Sequence, residues 1–511
     1  MRLAAVDIGS NSIRLEVAES GAGPVQTLFL DRTVTRLGES VFRTGVIGRD
    51  ALDLTCEVLK RMARAIRRHE VTAVRAVATS AVRDARNQEE FLSRSAAALG
   101  VPVEIISGAE EARLIHLGVQ SRWPQGNKRL LLIDIGGGSA ELIFDRAGEV
   151  IEAFSKPLGA VRLTEMFLRQ DPPSPAELQR LDDYIQEKIR PASRVAEMHP
   201  TDRVIATSAT ASALMCAVHR IPRSARERAD RLRATTVQLR KLQRNLAASS
   251  LERRRTVTGI GPKRAEIIVA GASVLLAILQ DLRLPGFTYS VAGVRDGIIA
   301  DLATRGAEPS SPQLSREQKR EVERLARRYG VSMPHARHVA WIARRLFDAL
   351  QPVHQASPAA GIVLEAAAML KDAGHFISDT RHHRHSYYVV LHSALPGFTE
   401  RERMMAANLC RYHRRSLPSS GHTGFAALNA QEQRIVTSMT PLLRLADALD
   451  RSRKQVVRDL GIRLSAVQIE IEARALAAPE LEVWAAQEAA EAFRAVFRRE
   501  LNVSGVIIKA R

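Results

Sequence analysis

The stretch DIGGGSAELIF, residues 134–144, sets three consecutive glycines and a serine between two apolar runs, with Asp134 before the turn and Glu141 after it. A second stretch, VDIGSNSIRLEV at 6–17, has nearly the same shape. Aligning the two pairs Asp7 with Asp134, Gly9 with Gly136, Ser12 with Ser139 and Arg14 with Glu141, at a spacing of 127 residues. A strand, a tight Gly/Ser turn and a returning strand can aim several backbone N–H groups at one point. Such nests bind phosphate oxygens, and glycine lets the backbone come close without Cβ atoms in the way. Gly137 and Gly138 supply that open backbone here, and Ser10, Asn11, Ser12 and Ser139 add neutral donors. Neither loop is a GxxxxGK[ST] phosphate loop, and GxGxxG fails because Glu141 stands where its third glycine belongs. Either loop alone reads as an ordinary hairpin. Two matched loops read as related subdomains that face each other and clamp a chain of phosphates, with the flanking carboxylates holding a metal.

The chain has 511 residues, enough for three or four domains. Its hydrophobic (45%) and charged (26%) fractions are those of a globular protein, which argues against a disordered or fibrous chain. Cys56, Cys216 and Cys410 form neither a CxxC pair nor an even disulfide set, which points to a reducing, cytoplasmic setting. No apolar leader precedes Asp7, and the longest nearly apolar run, Ile267 to Leu279, has 13 residues, too few to span a bilayer. No membrane partner is therefore expected. Net charge is +19, shared almost equally between residues 1–310 (+9) and 311–511 (+10). Such a surplus concentrates polyanions, although Arg-rich solvated faces would give the same count. Aromatics make up 4%, so stacking platforms for single-stranded nucleic acid are scarce, and no specific nucleic acid is expected.

Strands are expected at 3–8, 13–18 and 26–30, then an amphipathic helix at 49–70. Residues 71–87 read as a strand running into a helix, 103–108 as a strand, and a helix opens at Glu110 before the cycle restarts at Leu130. Strands alternating with helices give α/β layers. The Pro/Ser-rich stretch 305–317 reads as a linker. Helices follow at 316–350, 357–371, 400–415 and 430–450, then a strand at 462–474, a helix at 483–500 and a strand at 503–509.

Seven stretches together resemble the exopolyphosphatases and guanosine pentaphosphate phosphohydrolases, members of the actin-like ATPase superfamily. They are DIGSNSIRL (7–15), ATSAVRDARN (78–87), IISGAEEARL (105–114), IDIGGGSAEL (133–142), KPLGAVRLTE (156–165), GIGPKRAEIIVAG (259–271) and SVAGVRDGII (290–299). The resemblance implies two actin-like (ribonuclease H-like) α/β subdomains, 1–125 and 126–305. A linker at 306–317, an all-α HD-like domain at 318–458 and a small α/β domain at 459–511 would follow. It implies a homodimer, and water-driven hydrolysis of a terminal phosphoanhydride of inorganic polyphosphate or guanosine pentaphosphate. Glu111, the second Glu of EEAR, maps onto the catalytic base, although an acid in a first helical turn is also favourable in itself. Asp134 and Glu141 map onto the metal carboxylates for Mg²⁺ or Mn²⁺, which take one or two carboxylates plus substrate phosphates. Asp7 is a third acid near that metal. Arg14, Arg83 and, less directly, Arg264 are the cationic phosphate contacts, since a guanidinium grips phosphate in bidentate fashion.

Two departures from the pattern matter. VIATSATASAL (204–214) carries Ala206 and Ala209 where glycines commonly admit a nucleotide, which favours inorganic polyphosphate over a guanosine substrate. In the helical domain, HARHVAWIARRLFDAL (335–350), AAMLKDAG (367–374) and LLRLADALD (442–450) resemble the HD-type phosphohydrolase motifs. Lys371, however, replaces the metal-binding His beside Asp372. An ammonium has no lone pair, so no stoichiometric metal is expected at His335, Asp372 and Asp447. HHRHSYYVVLHS (382–393) and RYHRR (411–415) then read as a basic surface. If residues 311–511 attract long anions, a cut near Pro309 should weaken long chains more than short ones. An actin-like sensor of phosphate or nucleotide without turnover is the alternative in another class. A sugar kinase fits less well, as no acceptor-hydroxyl base motif is apparent.

Overall fold

In a computed structural model the described residues are 1–21, 23–307 and 313–508, and the chain divides into two compact units, Met1–Ala307 and Glu308–Arg511. Pro309, with the rest of residues 308–312 of the expected linker, lies outside the described residues. The first unit holds two sheets of matching plan. In one, β1 (Arg2–Ile8), β2 (Ser12–Glu19) and β3 (Gln26–Val34) form an antiparallel meander, and β4 (Ala73–Ala78) and β5 (Val103–Ile105) run parallel beside β1, in the order β3-β2-β1-β4-β5. The other repeats it with β6 (Arg129–Ile135), β7 (Ala140–Arg146), β8 (Glu149–Lys156), β9 (Arg203–Thr207) and β11 (Gly286–Tyr289), and adds β10 (Arg233–Thr235) at the edge. The repeat legible in two hairpins thus extends to whole subdomains, as the actin-like reading requires.

Because side chains alternate across a strand, each sheet buries both faces. Ala4, Val6, Ile13 and Leu15 face outward onto Leu59, Met62 and Phe91, while Leu3, Ala5 and Val77 face inward onto Ile298 and Ile299. Likewise Leu130 and Leu132 face Ala112, Ile115 and Val119. The inner layer is therefore a pair of helices, Gly108–Arg122 and Val294–Ala307, between the two sheets. The pair crosses at glycine. A Cβ on Gly297 would stand 1.8 Å from the Leu114 carbonyl oxygen, and one on Gly118 would stand 2.3 Å from the Gly293 oxygen. Buried charges fix the crossing: Arg113 binds Glu110 at 2.8 Å and Asp301 at 2.8 Å, and Arg75 binds Glu110 at 3.0 Å and Asp301 at 3.0 Å. Gly297→Ala must push two backbones apart, so a loss of about 1–3 kcal/mol or more is expected for the first unit. A denaturant midpoint equal to that of the parent would show that the helices can part freely.

In the second unit the expected helix 316–350 is two helices, Arg316–Arg328 and Met333–Ala349, broken where Gly330 takes a left-handed φ of 65°. The single strand expected at 462–474 is a hairpin, β12 (Val457–Leu464) and β13 (Gln468–Ala475), turned at exposed Ser465–Val467. Residues 483–500 hold two short helices, Glu480–Glu488 and Ala490–Phe497, and β14 (Glu500–Ile507) pairs parallel with β13. Ile469, Ile471 and Val503 share one hydrophobic core with Leu443 and Leu370, so helices and small sheet are packed as one body. Among the described residues, no helix is long and apolar enough to cross a membrane.

Candidate active site

The two hairpins are superimposable in their bonding. Asp7 pairs across the ladder with Arg14, and Asp134 pairs with Glu141. Each turn closes with the same bond, Gly9 N to Ser12 O at 3.1 Å and Gly136 N to Ser139 O at 3.0 Å. The turns also touch. A Cβ on Gly137 would stand 3.0 Å from Ser10 Cβ and 3.2 Å from the Asn11 nitrogen, and one on Gly138 would stand 2.6 Å from Ser10 Oγ. The glycines therefore let the two loops close on each other as well as bare the backbone. Arg162, which sequence reading passed over within KPLGAVRLTE, bolts this contact. Its Nε donates to the Gly138 oxygen at 2.7 Å, its Nη2 donates to Ser80 Oγ at 3.0 Å and pairs with Asp84, and the guanidinium lies 4.0 Å over the Phe42 ring.

A cleft of about 270 Å³ opens between the loops, and Asp7, Glu111 and Asp134 line it. Glu111 reaches it because Ser107 caps its helix, its Oγ accepting from Glu110 N at 3.2 Å. The two acids of EEAR then part company: Glu110 is locked in the buried ion-pair network, and Glu111 faces the cleft. Arg83 does not line the cleft. Its Nη1 donates to the Ile106 oxygen at 2.7 Å and lies 3.4 Å from Glu111 Oε2, so it holds the acid in place. Glu141 is buried behind the cleft wall, 1% exposed, and accepts from Ser155 Oγ at 2.8 Å.

Burial raises four carboxyls, Asp7, Glu111, Asp134 and Glu141, and repulsion from neighbouring acids adds to it at the last three. Burial pushes Glu111 up to about 7, against the pull of Arg83 and with added push from Asp7. Burial and then Glu111 push Asp134 up to about 7, and burial, Glu111 and Asp134 lift Glu141 well above its ordinary value. Asp7 is raised by burial and opposed first by Arg14, whose Nη1 lies 4.0 Å from its Oδ2. Among the described residues the Asp134 side chain has no hydrogen-bond donor. Crowded, buried carboxylates that Arg14 and Arg83 offset only in part are a fitting donor set for a hard divalent ion.

The cleft is also rich in cations. Arg14 and Arg264 line it as expected, joined by Arg32, Arg223, Arg226 and Arg295. Burial, followed by Arg14, Arg264, Arg223 and Arg226, pushes Arg32 down to about 8, and burial, Arg14 and Arg223 push Arg264 down to about 9. Guanidinium ordinarily holds its proton above 12, so these shifts describe arginines crowded together and withdrawn from water. The signals for the added four were weak. Arg295 sits inside the SVAGVRDGII stretch, whereas Arg223 and Arg226 belong to an Arg-rich run that resembles solvated surface. Of the two alanines, Ala209 lines the cleft but Ala206 is buried in β9, 1% exposed, and does not line it.

The sequence profile of the Ppx/GppA phosphatase family matches residues 16–305, and that of Ppx/GppA phosphatase domain III matches residues 318–484. The chain belongs to the Ppx/GppA phosphatase family. A solved family member from Aquifex aeolicus is 30% identical with a TM-score of 0.53, and the match covers 60% of this chain and 99% of that one. An exopolyphosphatase from Cytophaga hutchinsonii is 26% identical with a TM-score of 0.56, covering 60% of this chain and 98% of its own. Both relatives thus correspond in extent to something close to the first unit alone.

In the domain III region Lys371 stands where a metal would be expected. Its Nζ lies 2.8 Å from Asp372 Oδ2, 2.5 Å from Asp447 Oδ1 and 3.1 Å from His335 Nε2. Burial alone would lower this ammonium, but Asp447 and Asp372 more than offset it and the pKa is raised. The basic-surface reading of 382–393 and 411–415 needs correction. Arg384, Arg414 and Arg415 are exposed, but His382, His383 and His413 are buried, because their helices pack those faces inward.

Proposed function

We propose that the protein is a Mg²⁺-dependent exopolyphosphatase that hydrolyses the terminal phosphoanhydride of inorganic polyphosphate and releases orthophosphate. The observation that carries this reading is one cleft lined by Asp7, Glu111 and Asp134 together with six arginines. Phosphoryl transfer needs an aligned chain, an oriented water and neutralised charge. The arginines and the paired Gly/Ser loops would hold the anionic chain. Glu111, kept at its station by Arg83, would take the proton of the attacking water. The water oxygen bonds to the terminal phosphorus, the bridging P–O bond breaks, and the shortened chain leaves with its electron pair. Asp134 and Glu141, with Asp7 near, would hold Mg²⁺, which supplies charge neutralisation at the transferring phosphoryl.

Polyphosphate is preferred to guanosine pentaphosphate because the cleft beside Ala209 is walled by Arg223 and Arg226, which suit a further phosphate better than a base. Orthophosphate release from long-chain polyphosphate and from guanosine pentaphosphate, assayed side by side with Mg²⁺, tests the choice. Arg223→Ala/Arg226→Ala should raise KM for long-chain polyphosphate by roughly 10–100-fold, the worth of one or two charge-assisted bonds, with kcat little changed. An unchanged KM would take these residues out of the substrate path, and faster turnover of guanosine pentaphosphate would reverse the substrate assignment.

A further inference from the structure

Three successive carbonyls in the turn at 136–139 are bound by the start of one helix, Ala160–Phe167. The Gly136 oxygen accepts from Ala160 N at 3.0 Å, and the Gly137 oxygen accepts from Val161 N at 2.9 Å and Arg162 N at 3.1 Å. The Gly138 oxygen accepts from a side chain, Arg162 Nε, at 2.7 Å. Ala160, Val161 and Arg162 do not line the cleft.

In a planar trans peptide the C=O and the following N–H point in opposite directions. Fixing these three carbonyls on the helix therefore aims the N–H groups of Gly137, Gly138 and Ser139 the other way, and all three residues line the cleft. Among the described residues none of the three N–H groups has a hydrogen-bond acceptor. Gly138 and Ser139 are buried, and buried N–H groups without an acceptor are rare. A row of them makes a nest for an anion.

The first loop is built differently at one point. There the Ser10 oxygen accepts from Gly38 N at 2.7 Å, and the Asn11 oxygen accepts from Thr35 N and Arg36 N, both at 3.2 Å. Asn11 is the counterpart of Gly138, so a side chain performs in the second loop what backbone performs in the first. That side chain is itself held from the neighbouring subdomain. Arg162 Nη2 donates to Ser80 Oγ at 3.0 Å and pairs with Asp84, the guanidinium lies over Phe42, and the side chain is 14% exposed.

Taking the phosphohydrolase reading above as given, we infer that Arg162 is a positioning residue for the reaction: by holding the Gly138 oxygen it aims the Ser139 N–H at an oxygen of the transferring phosphoryl. Arg162 touches no substrate. It acts through one peptide group, in the same hairpin as Asp134 and Glu141, and it makes the direction of that group depend on the contact between the two subdomains.

Arg162→Gln and Arg162→Met separate this role from simple support. Counted along the side chain, the Gln amide nitrogen falls where Nε stood, and the Met terminal methyl falls there without a donor. Both variants lose the guanidinium, its pairing with Asp84 and its place over Phe42, so a merely structural role would affect them alike. Arg162→Met should turn over long-chain polyphosphate roughly 10²-fold more slowly than Arg162→Gln, the cost of misplacing a group by about 1 Å. KM and melting temperature should be alike in the two. Equal kcat, or a difference confined to KM, would overturn the inference. Should Arg162→Met fail to fold, Arg162→Lys takes its place. It keeps a charge for Asp84 but has a methylene where Nε stood, and a kcat equal to that of Arg162→Gln would again overturn the inference. A parent that releases no phosphate from polyphosphate would instead refute the function proposed above. Orthophosphate affinity with Mg²⁺ would then decide: it should be roughly 10–100-fold weaker without the Nε donor, the worth of one hydrogen bond to a charged group, and equal affinities would overturn the inference.

Discussion

Glu111→Gln is expected to lower turnover by roughly 10²–10⁴-fold, the usual worth of a positioned general base, with substrate affinity retained. The amide keeps the volume of the acid and can remain beside Arg83, whose Nη1 lies 3.4 Å from the parent carboxylate. It cannot accept a proton from water. The pH dependence gives a second reading. A carboxyl at about 7 in the metal-free protein is protonated, and inactive as a base, below that pH. The parent rate should therefore fall on the acid side, and the residual rate of the variant should lack that limb. Near-normal turnover in Glu111→Gln would move the base elsewhere in the cleft.

Asp134→Asn and Glu141→Gln should each raise the half-saturating Mg²⁺ by roughly 10–100-fold or more, since even an outer-sphere partner of a metal is commonly worth that much. They should also change stability in a direction opposite to activity. Asp134 has a folded-state pKa of about 7 against an ordinary 3.8. The folded protein therefore binds this proton more tightly than the unfolded chain does. Its stabilising contribution is full below about 4 and is lost as pH rises through 7. Metal-free protein should melt at lower temperature at pH 8 than at pH 5. Asp134→Asn should flatten that slope and raise the melting temperature at pH 8, and Mg²⁺ should narrow the difference for the parent. Identical Mg²⁺ titrations in both variants and the parent would remove these acids from the metal site.

The sequence carried the layout of the first unit well because its signal was local. Asp7–Arg14 and Asp134–Glu141 are cross-strand neighbours within single hairpins, so their spacing along the chain is also their geometry. Glu111 was legible for a similar reason, lying four residues after Ser107. What stayed hidden depended on distant contacts. Arg32, Arg223, Arg226 and Arg295 come from separate elements, and nothing in their neighbours separates a cleft arginine from a solvated one. Arg83 lies in a recognisable stretch, yet its orientation toward Ile106 and Glu111 is set by the fold. The histidines of 382–413 were misread because composition gives charge, while helix phase decides which rings are turned inward. The break at Gly330 and the hairpin at Ser465–Val467 were lost to continuous-looking hydrophobic patterns.

The layered helix pair has a consequence for how this protein is made. Leu3 and Ala5 of the first strand are covered by Ile298 and Ile299, near the far end of the same unit. A ribosome adding 5–20 residues per second needs about 15–60 s to pass from one to the other. During that interval the first sheet can pair its strands and pack its outer helices, but its inner face has no partner of its own. Completion of the catalytic unit is thus timed by the arrival of a single late helix, and a stall in translation before residue 294 leaves every cleft residue except Val294, Arg295 and Asp296 already synthesised, with the inner face of the first sheet still uncovered.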